Sequence, residues 1–210
     1  MNLLMSDALE HHWAWTWGLL GLPPSPELYA WLCRSYAEPH RKYHTQQHLS
    51  ECLALCEQDG ELAQRPGEVA IALWFHDAIY RHGRNDNELA SADWAHRALL
   101  MAGLGLEAAD RVHALVMATC HTQAPVTPDE QLLVDIDLSI LGAGPSRFAE
   151  YQQQIRDEYA HVPQELFSQK RREVLRAFMA REQIYCTAAY RQRLEARARD
   201  NLRLALGGEP

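Results

Sequence analysis

Apolar residues recur along this chain every three or four positions, and the strict alternation expected of a half-buried strand is scarce. Ala, Leu, Glu, Gln and Arg are abundant, and Pro or Gly punctuates the periodic stretches. The pattern predicts helices over Leu4–Leu19, Pro26–Tyr36, Thr45–Glu57, Pro66–Tyr80, Asn87–Met101, Glu107–Thr119, Asp129–Leu141, Ser146–Tyr159, Pro163–Ala180 and Gln183–Leu206. The breaks between them, such as Gly103-Leu104-Gly105 and Gly142-Ala143-Gly144-Pro145, are short enough to be turns inside one bundle. The expected class is all-α, with one domain over residues 1–210.

Two features of the pattern stand out. In the first helix Trp13 and Trp17 share a face that Trp15 does not, which marks a core contact. Between Val69 and Tyr80 an otherwise apolar helical run contains His76-Asp77. Polar groups are costly in such a place unless other residues satisfy them, so the pair requires partners.

Composition narrows the setting. A chain of 210 residues with 47% hydrophobic side chains can build a sizeable core. The formal charge of −8 argues against a general nucleic-acid binder and favours a small ligand or a protein partner. The five cysteines form no CxxC pair, so neither a disulfide framework nor a zinc ribbon is expected; Cys52 and Cys56, one turn apart, are expected to be small buried apolar residues. Reduced thiols, an N-terminal stretch unlike a signal peptide and the lack of a long apolar run point to a cytoplasmic protein without a membrane partner.

Candidate partners for His76-Asp77 lie on both sides of it. His44 and His48 are one turn apart and can act as two ligands, or as one ligand and one proton donor. His11 and His12 have no carboxylate partner in view and are expected at a surface or cap. Arg81 and Arg84 follow the pair and are candidates to hold a phosphate. Asn85 and Glu88 match a capping box, with Glu88 also a candidate to orient water. His121 ends an amphipathic helix, where the macrodipole favours it, and is also a candidate substrate contact. Of Asp135 and Asp137, two apart in an aliphatic run, one points inward. The charged last third, including Arg191 to Arg203, suits solvated helix faces.

In chain order His48, His76-Asp77 and Asp137 resemble the H…HD…D signature of the HD-domain metal-dependent phosphohydrolases, an all-α superfamily. Tyr43-His44-x-x-x-His48 and Asp137-Leu138-Ser139 are similar to segments of the related cyclic-nucleotide phosphodiesterases, although their glutamine and aromatic clamp have no counterpart here. The whole chain resembles a small bacterial group of HD phosphohydrolases, through Arg41-x-Tyr43-His44-Thr45-x-x-His48, Phe75-His76-Asp77, Asn87-Glu88-x-x-Ser91-Ala92, Asp135-x-Asp137-Leu138-x-Ile140-Leu141-Gly142, Ile184-Tyr185 and Ala198-Arg199-x-Asn201-Leu202.

The resemblance implies an HD-type helical bundle in which His48, His76, Asp77 and Asp137 hold one or two divalent ions. It makes Asp77 a bridging ligand and His44 the proton donor. It also selects Asp137 over Asp135. Two imidazoles and two carboxylates suit Mn, Fe, Co, Ni, Zn or Mg. The implied activity is hydrolysis of a nucleotide or similar small phosphate ester by water activated at the metal, with Arg41 as a phosphate clamp. Two other readings use the same residues: a di-iron oxygenase with His121 or His82 as extra ligands, and a non-catalytic metal- or ligand-binding module.

Overall fold

The computed structural model describes residues 3–208, and every regular element among them is helical. The all-α class is therefore correct. No helix among the described residues is long and apolar enough to cross a membrane. The chain forms two compact units, one up to Ile136 and one from Asp137 onward.

The first unit contains α1 (Leu3–Leu20), α2 (Pro26–Ser35), α3 (Gln46–Asp59), α4 (Pro66–Phe75), α5 (Asn87–Met101), α6 (Leu106–Ala118) and α7 (Pro128–Asp137). From Val69 onward helix α4 is apolar around its whole circumference, which suits only a helix surrounded by others. It packs on α1, α3, α5 and α6, and every residue from Gly67 to Phe75 is buried. At Gly67 the α1 backbone comes close: a Cβ there would lie 3.1 Å from the carbonyl carbon of Leu19.

Aromatic packing joins α1 to α4. Trp13 meets Trp74 edge-on, with ring centroids 4.9 Å apart. The Trp74 indole N–H donates to the Thr16 hydroxyl at 3.2 Å, and that hydroxyl donates to the His12 carbonyl at 2.7 Å. Trp13 and Trp17 are buried, and Trp15 is only partly so, as the helix pattern predicts. Ser25 and Thr45 cap α2 and α3 through their hydroxyls.

The second unit contains a 3-10 segment, Leu138–Gly142, followed by α8 (Pro145–Glu158), α9 (Gln164–Met179) and α10 (Ala188–Ala205). Side chains from the end of the chain satisfy the carbonyls of the 3-10 segment. Tyr185 donates to Leu138 at 3.1 Å, Asn201 donates to Leu141 at 2.8 Å and to Ala143 at 3.0 Å, and Arg197 donates to Gly142. The helix expected from Gln183 begins only at Ala188. Glu195 accepts from the backbone N–H groups of Ile184 and Tyr185 and holds that segment out of the helix, while Thr187 supplies the cap.

Two further expected boundaries move by more than two residues. The helix predicted over Asp129–Leu141 tightens to 3-10 geometry after Asp137. The helix predicted to reach Tyr80 stops at Phe75, so His76-Asp77 follows the helix end instead of lying within it.

Candidate metal centre

Neither Pro nor Gly ends α4; side chains take its hydrogen bonds. A continuing helix would pair the Asp77 N–H with the Leu73 carbonyl and the Ala78 N–H with the Trp74 carbonyl. Here the His76 ring donates from Nδ1 to the Leu73 carbonyl at 2.7 Å. The Tyr36 hydroxyl accepts from the Asp77 N–H at 3.2 Å and donates to the Trp74 carbonyl at 3.2 Å. Burial, reinforced by the Asp77 charge, pushes the Tyr36 phenol well above its ordinary pKa, which keeps the donating proton in place. The Ala78 N–H falls back to the Phe75 carbonyl at 2.9 Å.

The segment after Asp77 is tied at successive residues. Arg41 donates to the carbonyls of Asp77 at 2.6 Å and Ala78 at 3.1 Å. The Ile79 N–H donates to Ser91 Oγ at 3.0 Å. His40 Nε2 donates to the Tyr80 carbonyl at 2.8 Å, and Asn87 exchanges two bonds with the backbone of Arg81 at 3.1 and 3.0 Å. Buried backbone groups must be paired, so these side chains determine the path that carries Asp77. Asn87 and Ser91, four apart on α5, thereby acquire a physical role.

The result is a close set of ligand atoms. His48 Nε2 and His76 Nε2 lie 3.1 Å apart. Asp77 Oδ2 is 3.1 Å from the His76 nitrogen and 3.6 Å from that of His48. The backbone bond of His76 places its proton on Nδ1 and leaves the Nε2 lone pair facing the other ligands, the usual orientation of a metal-binding imidazole. Burial opposes the ionised form of Asp77, but the surrounding His76, His44 and His48 rings outweigh it and hold the carboxyl below its ordinary range.

His48, Cys52, His76 and Asp137 also form a group with ligand atoms within 4.8 Å of one another. Asp137 is the last residue of α7, a helix that otherwise belongs to the first unit. Ligand atoms about 3.3 Å apart are what bonds of about 2.0–2.1 Å to one ion require in a tetrahedral set, and the three measured separations lie close to that value. The donor set therefore fits a divalent cation.

His44 sits beside the group. Its ring stacks on Tyr80 with centroids 4.4 Å apart and is 6.0 Å from the His48 ring, and its charge is among those acting on Asp77. The other expected residues have different partners. Arg41 is buried and bonded to Glu38 and to the carbonyls of His44, Asp77 and Ala78, so the geometry gives it a backbone-holding role. Arg81 is exposed and pairs with Asp86, as does Arg84.

The capping box of Asn85 and Glu88 does not form. Asp86 is the cap residue of α5 and no side chain bonds there. Glu88 lies in the first turn of α5, near enough that its charge, after burial, raises the Cys120 thiol pKa. His121 follows the end of α6 with φ of 53°, a left-handed conformation uncommon outside glycine. Among the described residues, neither His121 nor His82 belongs to the ligand group.

The structure adds Tyr36 and His40 as supports of the centre and brings Cys52 to its edge, none of which sequence spacing assigned. A second group on the first unit joins His11 and His12 to Glu57. Burial outweighs the Glu57 charge and lowers the His12 pKa, so this ring favours its neutral form. Comparison of the chain with family models, with curated proteins and with solved structures gives no match.

Proposed function

We propose that this chain is a metal-dependent phosphohydrolase of the HD type, acting on a nucleotide or another small phosphate ester. The observation that carries the reading is the convergence of His48 Nε2, His76 Nε2 and Asp77 Oδ2 within 3.1 to 3.6 Å, with Asp137 in the same neighbourhood. The order of these residues along the chain, which resembles the HD signature, supports it.

His48, His76, Asp77 and Asp137 would hold the cation. When bound, a divalent ion supplies Lewis-acid activation of water and neutralises charge on phosphoryl oxygens. Asp77 contributes an ionised carboxylate whose backbone is fixed by Tyr36 and Arg41. Hydrolysis forms one bond from the water oxygen to phosphorus and breaks the ester bond. The water gives up its proton to solvent, and the leaving oxygen gains one from His44, which lies on the Tyr80 ring and is reprotonated from solvent.

The test is elemental analysis of the purified protein followed by phosphate release from nucleoside phosphates and p-nitrophenyl phosphate with added Mn or Co. Metal-stimulated release is expected, with Asp77→Ala abolishing it. His44→Gln should retain metal but lose about 10²–10⁴-fold in turnover. Asp77→Ala with full metal-stimulated activity, or a metal-loaded protein without turnover across the panel, would overturn the assignment.

A further inference from the structure

We propose that His11, His12 and Glu57 form a second metal site that takes a borderline divalent cation such as Zn²⁺ or Ni²⁺ and fastens α1 to α3. Adjacent residues on a helix point about 100° apart, so one carboxylate reaches both rings only from a neighbouring element. Glu57, in the last turn of α3, does so. His11 Nε2 lies 3.0 Å from Glu57 Oε1 and 3.2 Å from Oε2, and His12 Nδ1 lies 3.2 Å from Oε2. The two imidazoles meet edge to face with centroids 5.4 Å apart, and one ligand atom from each of the three residues lies within 4.8 Å of the others.

An ordinary ion pair accounts for only part of this. The His11 side chain is 62% exposed and that of Glu57 35%, so their attraction is weakened by water. It leaves His12 Nδ1, on a side chain 7% exposed, 3.2 Å from the same carboxylate without a well-formed hydrogen bond, and a shared cation would satisfy that nitrogen. Two imidazoles and a carboxylate form a recognised zinc donor set that leaves a position for water, and the exposed side of this site provides it. The nitrogen–oxygen separations are again close to the edge of about 3.3 Å that bonds of about 2.0–2.1 Å imply.

The site is distinct from the His48/His76 centre. Glu57 is nine residues beyond His48 on α3, which places it about 14 Å along the axis and half a turn around it.

The test is equilibrium dialysis of the 210-residue chain with Zn²⁺, read by elemental analysis and by thermal unfolding with and without the ion. His11→Ala and Glu57→Gln change exposed side chains and should fold, lose one equivalent of zinc and lose part of the zinc-induced rise in Tm. His76→Ala should keep that equivalent. If the first centre binds nothing, the wild type should hold a single equivalent that vanishes in Glu57→Gln and survives in His76→Ala. Unchanged zinc content and Tm shift in both His11→Ala and Glu57→Gln would overturn the proposal.

Discussion

The guanidinium of Arg41 donates to the carbonyl oxygen of Asp77 at 2.6 Å. The Arg41 side chain is 0% exposed, and its remaining donors reach the carbonyls of Ala78 and His44 and the carboxylate of Glu38. Its planar fork holds the peptide that presents Asp77 from one side while Tyr36 holds it from the other.

Replacing Arg41 should therefore affect folding and metal binding together. Arg41→Lys keeps the charge but loses the fork, and we expect roughly 2–4 kcal/mol of destabilisation in urea unfolding, because buried carbonyls lose their donors. Affinity at the centre should fall about 10–100-fold as the Asp77 backbone loosens. A substrate clamp would behave differently, with a raised KM and unchanged stability and metal affinity.

Tyr36 gives a narrower version of the same test. Tyr36→Phe preserves the ring and removes only the hydroxyl that bridges the Trp74 carbonyl and the Asp77 N–H. Two buried backbone groups then lack a partner, at a cost of about 1–3 kcal/mol. The expected signature is lower stability with intact helix content, measured by circular dichroism during denaturation. A neutral Tyr36→Phe would show that α4 can resume its own hydrogen bonds.

The sequence made the helices and the candidate ligands legible to different degrees. Helix α5 was predicted at Asn87–Met101, its observed bounds, because a periodic apolar face and a loop before it mark both ends. His76 and Asp77 stand out because they interrupt an apolar run, and Asp135 and Asp137 do so as a pair; His48 as a ligand, and Asp137 in preference to Asp135, rest on the resemblance to the HD signature. The end of α4 was not legible. Nothing local stops that helix at Phe75, and the groups that do so come from Tyr36 and from the ring of His76 itself. Glu57 was equally hidden from His11 and His12, since 46 residues of chain separate it from the first. Spacing rules see one element at a time, whereas these contacts depend on how elements pack.

Cys52 separates packing from ligation. Its sulfur is 3.7 Å from His48 Nδ1 and 3.8 Å from Nε2. The nearly equal distances set the sulfur beside the imidazole ring at the edge of the group, and we take its role there as packing. Cys52→Ala should therefore keep metal stoichiometry and change affinity less than about tenfold, whereas His48→Ala should lose the ion. A thiolate charge-transfer band in the cobalt-loaded wild type, absent from Cys52→Ala, would make Cys52 a ligand.

Gly142 tests the packing of the second unit without touching the centre. A Cβ at this position would lie 2.7 Å from Leu194 Cβ, 2.9 Å from the Tyr185 hydroxyl and 3.0 Å from the Leu194 carbonyl oxygen. Leu194 presents its Cβ and backbone here, so rotation of a flexible side-chain end cannot relieve the overlap; α10 has to move away from the 3-10 segment. That motion strains the Asn201 bonds to Leu141 and Ala143 and the Tyr185 bond to Leu138. Gly142→Ala is expected to cost about 1–3 kcal/mol, the usual range for overpacking a close contact. Gly18→Ala is the control: it lies within α1 with nothing within 4 Å of the added carbon, and helix propensity predicts a gain of about 0.5–1 kcal/mol. Urea unfolding of both variants, with limited proteolysis to locate cleavage, checks the pair. Gly142→Ala as stable as the wild type, with no new cleavage beyond Asp137, would show that this contact does not constrain the unit.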